Sequence, residues 1–267
     1  MRLNVRHTTV YEYDEPTRYS VQTLRLTPAS NPAQRVTRWR LKAEGKLVEM
    51  LDSFGNITHM LVIDKPHRRV VIEAEGEVET SADQSATLPE TGVLNPLIYL
   101  RETALTESNA AIAAFASQFE AHMRSAPREA LFALMAGIRE RIAYRPGASS
   151  VTSTAADVFS ANAGVCQDHS HVFLACARLL GVPARYVSGY LFTENASSEA
   201  SHAWVEAWLP EQGWLGLDVA NNIAVGPMHV RIAVGLDYRS ASPVTGVRRG
   251  GGAERMDVSV QIAQAQQ

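Results

Sequence analysis

Cysteine is nearly absent: the 267 residues include two, Cys166 and Cys176. That excludes a disulfide-stapled secreted scaffold. Both fall within one expected helix, where ten positions at about 1.5 Å each separate them by about 15 Å, beyond disulfide reach. They read as free thiols of a reducing compartment. An excess of one charge is also lacking, because 25 basic and 28 acidic side chains leave a net charge of −3. Nothing pulls on phosphate backbones or anionic lipid, so neither nucleic acid nor a membrane is an expected partner. Uninterrupted apolar runs are missing as well. The opening Met-Arg-Leu-Asn-Val-Arg-His-Thr-Thr-Val interleaves apolar and polar residues, and no stretch of about 18 apolar residues occurs. Neither a signal segment nor a membrane span is expected, and the expected location is the cytoplasm.

What the chain does have is 46% hydrophobic and 20% charged residues, a globular profile with ample length to bury a core. The first third alternates with period two. His7 to Tyr13 and Tyr19 to Leu26 are separated by Asp14-Glu15-Pro16, which predicts a hairpin. Further strands are predicted at Val36 to Ala43, Leu47 to Leu51, Ile57 to Ile63 and Val70 to Thr80, punctuated by Gly45, Ser53-Phe54-Gly55-Asn56 and Lys65-Pro66. Residues 1–85 are therefore expected to form an antiparallel β domain. The acidic row Glu73, Glu75, Glu77 and Glu79 reads as a solvated strand face, and the polar Ser81 to Glu90 as the boundary.

Residues 86–267 begin with helical spacing: Ile112, Phe115 and Phe119, then Leu131, Leu134, Met135, Ile138 and Ile142. A third helix is predicted from about Val165 to Leu180, ended by Gly181 and Pro183. Strands return at Ala184 to Phe192, Ser201 to Leu209 and Trp214 to Val219, with a late edge strand at Met256 to Ile262. The fold class is α+β.

Cys166 opens the third helix, where unpaired amides and the helix dipole favour an anion and so a thiolate. Cys176 lies on that helix's apolar stripe and reads as a small hydrophobe. Thiol chemistry needs a base near sulfur and a carboxylate that orients the base. His202, on the strand Ser201 to Leu209, and Asp218, ending the next strand, supply them. They share a sheet face only if paired residue numbers add to an even value, as when Leu209 opposes Gly213 across Pro210-Glu211-Gln212. Opposing Leu209 to Trp214 would put Asp218 on the wrong side. The spacing leaves the choice open.

Gly164-Val165-Cys166-Gln167-Asp168, Leu179 to Tyr190, His202-Ala203-Trp204-Val205-Glu206 and Gly213-Trp214 through Asp218 resemble the bacterial transglutaminase-like family. His7-Thr8-Thr9-Val10-Tyr11, Leu24 to Pro28 and Asp52-Ser53-Phe54-Gly55-Asn56 resemble the β domain that precedes its core. Asp237-Tyr238, Ser242-Pro243 and Gly246 resemble its tail. The resemblance implies a papain-like transglutaminase core with a Cys166, His202, Asp218 triad for acyl transfer on a protein or peptide substrate, without a cofactor. The chain departs from the family where it has His169-Ser170 and Val219-Ala220.

A metal site on Cys166, His169, His171 and His202 is the competing reading. At 100° per residue Cys166 and His171 diverge by about 140° around the helix, so no metal is expected. Asp168 is expected as the helix N-terminal charge, Glu206 as an exposed strand charge, and Trp204, Trp208 and Trp214 as core. The expected function is cysteine-dependent acyl transfer, hydrolytic rather than cross-linking. An amine transferase and a non-catalytic binding scaffold are the alternatives, and the oligomeric state is not legible.

Overall fold

The computed structural model describes residues 1–81, 87–88, 94–193 and 201–265. The boundary expected between residues 85 and 86 lies outside them. In chain order the elements are β1 (Arg2–Leu24), β2 (Gln34–Ala43), β3 (Lys46–Leu51), β4 (Ile57–Ile63), β5 (His67–Thr80) and β6 (Thr87–Leu88), followed by α1 (Ala110–Ser117), α2 (Glu120–Ser125) and α3 (Pro127–Arg141). Next come β7 (Ala143–Tyr144), α4 (Ala155–Ala161), β8 (Ala163–Gly164), α5 (Cys166–Leu179), β9 (Ala184–Leu191), β10 (His202–Leu209) and β11 (Gly213–Asp218). The chain closes with β12 (Ile223–Ala224), β13 (His229–Gly235), α6 (Tyr238–Ala241), β14 (Val244–Gly250) and β15 (Glu254–Gln264).

The first sheet corrects the expected hairpin. Residues 2–24 form one long strand, β1, and Asp14-Glu15-Pro16 is a bend inside it where the pairing register shifts. The amides of Asp14 and Glu15 do not close a turn; they bond the carbonyls of Ala253 and Gly251. β4 and β5 run along one side of β1, and β14 and β15 along the other, all antiparallel. The late strand is an edge, as expected, and its sheet is the first one: β15 pairs Leu3 to Tyr13 of β1, so the end of the chain completes that sheet. Both partners are distant in sequence, so local turn chemistry could not report them. The acidic row of β5 faces arginines, with Arg2 2.8 Å from Glu77 and Arg6 3.3 Å from Glu75.

The second sheet has the order β12-β11-β10-β9-β13, with β6 against β11. Its two faces differ. Ala203, Val205, Ala207, Leu215 and Leu217 enter the large core with Val172, Phe173 and Ala177 of α5 and with α3 and α4, while Trp204 packs on Val187, Val234, Phe54 and Val225. The first sheet docks on this unit in two ways. Leu3, Val5, Val78 and Val260 join the large core. On the free edge of β13, Asn56 accepts from Val234 N at 2.8 Å and donates to Val234 O at 2.8 Å, while Gln34 accepts from Arg231 N at 2.9 Å and donates to Arg231 O at 2.8 Å. Two carboxamides thereby replace a neighbouring strand and leave that edge no unpaired groups at these positions.

Candidate active site

The helix that carries Cys166 is set by its preceding residues. Val165 at the cap position is extended and has no side-chain oxygen. Asp168, one turn in, supplies the cap and accepts from Val165 N at 2.7 Å, with Ser149 as a second donor to the same oxygen. Gly164 makes room, because a Cβ there would meet Asp168 Cβ at 2.7 Å. Desolvation raises the Asp168 carboxyl against these hydrogen bonds. Cys166 itself is half-buried at the helix start, whereas Cys176 is fully buried and its thiol is pushed up to about 12 by desolvation. Both are free thiols.

The β10–β11 register is the even one: Leu209 opposes Gly213, and Val205 opposes Leu217. Gly213 adopts φ +96 and Glu211 φ +66, the left-handed conformations that let Pro210-Glu211-Gln212 close the connection in three residues. His202 and Asp218 therefore fall on one face, and His202 Nε2 lies 2.8 Å from Asp218 Oδ2. Cys166 lies near enough to the His202 ring to favour its charged form. With Nε2 committed to Asp218, Nδ1 is the ring nitrogen left for sulfur. Burial opposes a charge on His202, but Asp218 and Cys166 together outweigh it and raise the ring to about 10. Burial also opposes the Asp218 charge, yet donation from His202, His229 and Asn221 holds its carboxyl well below the usual carboxylate range.

Two of these neighbours carry no motif. Asn221 donates Nδ2–H to Asp218 Oδ2 at 2.7 Å, and His229 Nε2 lies 3.1 Å from the same oxygen. His229 begins β13, three strands from β11 in the sheet, and reaches Asp218 because residues 225–228 cross the face on which Trp204 lies. Only the tertiary fold reveals that approach. Tyr144 is a third such neighbour: it stacks beside His169 and feels the charges of Cys166, Asp218 and Asp168.

The other histidines turn away from sulfur. His169 places its ring nitrogens 2.8 and 3.0 Å from the carbonyl oxygens of Val165 and Ile142. His171 accepts from Tyr238 N at 3.1 Å, and desolvation lowers it to about 4. Thus the departure at His169-Ser170 ties the helix start to α3 and to its own backbone, with Ser170 Oγ donating to Cys166 O at 2.9 Å. Val219-Ala220 is buried beside Asp218 without displacing it from His202. Glu206 is a correction: it is 2% exposed, not a surface charge, because β10 is central in its sheet. Arg185 meets it at 2.6 Å and Arg231 at 3.3 Å, and these outweigh burial to lower its carboxyl. Arg185 also lies 3.9 Å over the Trp214 ring. Trp204 and Trp214 are buried as expected, and Trp208 is half-buried.

A thiol at the start of a buried helix, facing a histidine and an aspartate on adjacent antiparallel strands, defines the class as cysteine-dependent enzymes with a transglutaminase-like core. The chain belongs to the bacterial transglutaminase-like family: residues 3–79 match the bacterial transglutaminase-like N-terminal region, and residues 113–219 match the transglutaminase-like superfamily. It is 30% identical to an uncharacterized protein of Mycobacterium leprae, over 98% of each chain. Over 107 residues, 34% of this chain and 16% of the other, it is 34% identical to a protein-glutamine gamma-glutamyltransferase of Pseudomonas aeruginosa. The crystal structure of a candidate cysteine protease from Cytophaga hutchinsonii shares the fold with a TM-score of 0.80 at 19% identity, covering 100% of this chain and 91% of that one.

Proposed function

We propose that the protein is a thiol hydrolase acting on amide bonds of a protein or peptide, with Cys166 as nucleophile, His202 as base and acid, and Asp218 as the group that orients His202. The observation that carries this reading is His202 Nε2 held 2.8 Å from Asp218 Oδ2, with Cys166 near enough to act on the charge of the same ring. Cys166 sulfur attacks the carbonyl carbon of an amide, the C–N bond breaks, and His202 gives its proton to the departing amine. Water then attacks the thioester carbonyl, His202 takes its proton, the C–S bond breaks, and the acid leaves as the thiolate–imidazolium pair is restored. The α5 amide at Cys166 is available to the developing oxyanion. Water as acceptor requires no second site. Transfer to an amine is the second reading, favoured by the resemblance to the P. aeruginosa glutamyltransferase.

The test is iodoacetamide alkylation, mapped separately to Cys166 and Cys176 across pH, in wild type and in His202→Ala. Cys166 is expected to react readily near pH 6, where an ordinary thiol is mostly protonated, and to lose that reactivity without His202. Cys176 stays inert while the protein is folded. A Cys166 that reacts no faster than an ordinary thiol at any pH overturns the reading and favours a scaffold. Glutamine-containing peptides, with and without an added primary amine, then separate hydrolysis from transfer by product mass.

A further inference from the structure

We infer that His229 is a positioning residue for the proposed chemistry, a fixed neutral donor that clamps Asp218 onto His202, so that the working unit is Cys166–His202–Asp218–His229. The inference rests on the proposed function above. His229 lies outside residues 113–219, the segment matched to the superfamily.

The tautomer follows from the backbone. Gly226 N–H donates to His229 Nδ1 at 3.2 Å, so in the neutral ring that nitrogen is the acceptor and the proton sits on Nε2. Nε2 lies 3.1 Å from Asp218 Oδ2, so His229 donates there. Trp204 packs against the ring in a T-shaped contact with centroids 5.2 Å apart, and the His229 side chain is 1% exposed. Asp218 Oδ2 thus takes bonds from His202, His229 and Asn221, while Oδ1 receives a longer one from Asn221 N at 3.3 Å. A buried carboxylate fixed at this oxygen cannot turn away from the imidazole.

His202, Asp218 and His229 also present ligand atoms within 4.8 Å of one another, a set with the composition of a divalent-metal site. A metal would need the lone pair of His229 Nε2, yet the Gly226 amide places the proton on that atom. The geometry therefore points to donation instead of coordination.

The titratable groups facing His202 are Cys166 from α5, Asp218 from β11 and His229 from β13, and Tyr144 from β7 shares the field of Cys166 and Asp218. Removing His229 takes one anchor from Asp218 and opens an imidazole-sized space to water, which weakens the hold of the carboxylate on His202.

The experiment follows the His202 ring by NMR across pH in full-length Cys166→Ala protein, with and without His229→Ala, His229→Phe and His229→Gln. In the thiol-containing protein the same three substitutions are scored by Cys166 alkylation near pH 6. His229→Ala is expected to lower the pH at which His202 titrates by about one unit, roughly the value of one hydrogen bond to a charged group. It should slow alkylation about tenfold. His229→Phe fills the space without a donor and should show the same downward shift, while His229→Gln restores most of the wild-type behaviour. An unchanged or upward His202 titration in His229→Phe, in a folded protein, overturns the inference. So does tight zinc binding by the wild type that disappears in His229→Phe. Because the titration is read without the thiol, it judges His229 even where Cys166 itself proves unreactive, and that second failure belongs to the proposed function.

Discussion

At the scale of single residues, the His202–Asp218 contact links ionisation to stability. The His202 ring is raised to about 10 in the folded protein against about 6.5 in an unfolded chain. Its contribution is therefore complete below about pH 6.5 and disappears as pH rises through about 10. Asp218 moves the other way. Its carboxyl is held low, so its contribution is present above about pH 4 and is lost as pH falls below that value. The two windows overlap between about pH 4 and 6.5. Urea unfolding of wild type and His202→Ala at a series of pH values should show the largest gap in midpoint there, shrinking steadily toward pH 10. A gap that does not depend on pH would mean that the ring is neutral throughout.

At the scale of elements, the start of α5 has little tolerance. Asp168 can cap Val165 only because position 164 has no side chain. Gly164→Ala places a methyl group 2.7 Å from Asp168 Cβ and Oδ2, so the carboxylate must leave the Val165 amide. Loss of a cap of this kind costs about 1 kcal/mol, and the displaced buried carboxylate adds to it, so a total of about 2 kcal/mol is expected in urea denaturation. Cys166 alkylation should slow severalfold in the same variant, because the helix start that favours the thiolate is disturbed. The strand pair β10–β11 shows what an element reveals about itself. Alternation and a short connection reduced its register to an even and an odd choice, and Leu209 opposite Gly213 is the even one. The bend in β1 shows the converse. Asp14-Glu15-Pro16 carries the composition of a turn, but its amides are taken by the strand returning from residues 251–253.

At the scale of the whole molecule, the two sheets behave as one packed body. The motif Asp52-Ser53-Phe54-Gly55-Asn56 is the pin. Asp52 Oδ1 accepts from Phe54 N at 2.9 Å and Asn56 N at 3.0 Å, Gly55 turns at φ +80, and Asn56 then reaches Val234 on β13. His7 is a second tie. It is lowered to about 4 by desolvation, so it is a neutral ring, and its Nδ1 lies 2.9 Å from Tyr190 Oη on β9. Asn56→Ala would leave the Val234 amide and carbonyl buried and unpaired. The expected loss is about 2–3 kcal/mol, checked by urea denaturation, with Cys166 still alkylated at the wild-type rate under native conditions. A loss below about 0.5 kcal/mol would show that the sheets are held by apolar contact alone.

Much of this protein was determined by its sequence alone. Period-two and helical spacing located β2 to β5, β9 to β11, α1, α3 and α5 but not α4, β13 or β14, and Gly181 ended α5 within a residue or two of its observed end. Cys166, His202 and Asp218 were legible as candidates from a nucleophile's place at a helix start, two polar residues on adjacent strands and the family resemblance of the segments around them, while spacing left open the register that brings His202 to Asp218 and the fold decided it. The tertiary structure alone decided the rest: that β14 and β15 complete the first sheet, that Glu206 is buried between two arginines, and that His229 and Asn221 converge on Asp218. Those outcomes depend on which surfaces meet across long stretches of chain, and burial or a hydrogen bond between distant residues leaves no periodicity behind. The same reason separates the three groups that the pattern names from the fourth that the fold adds.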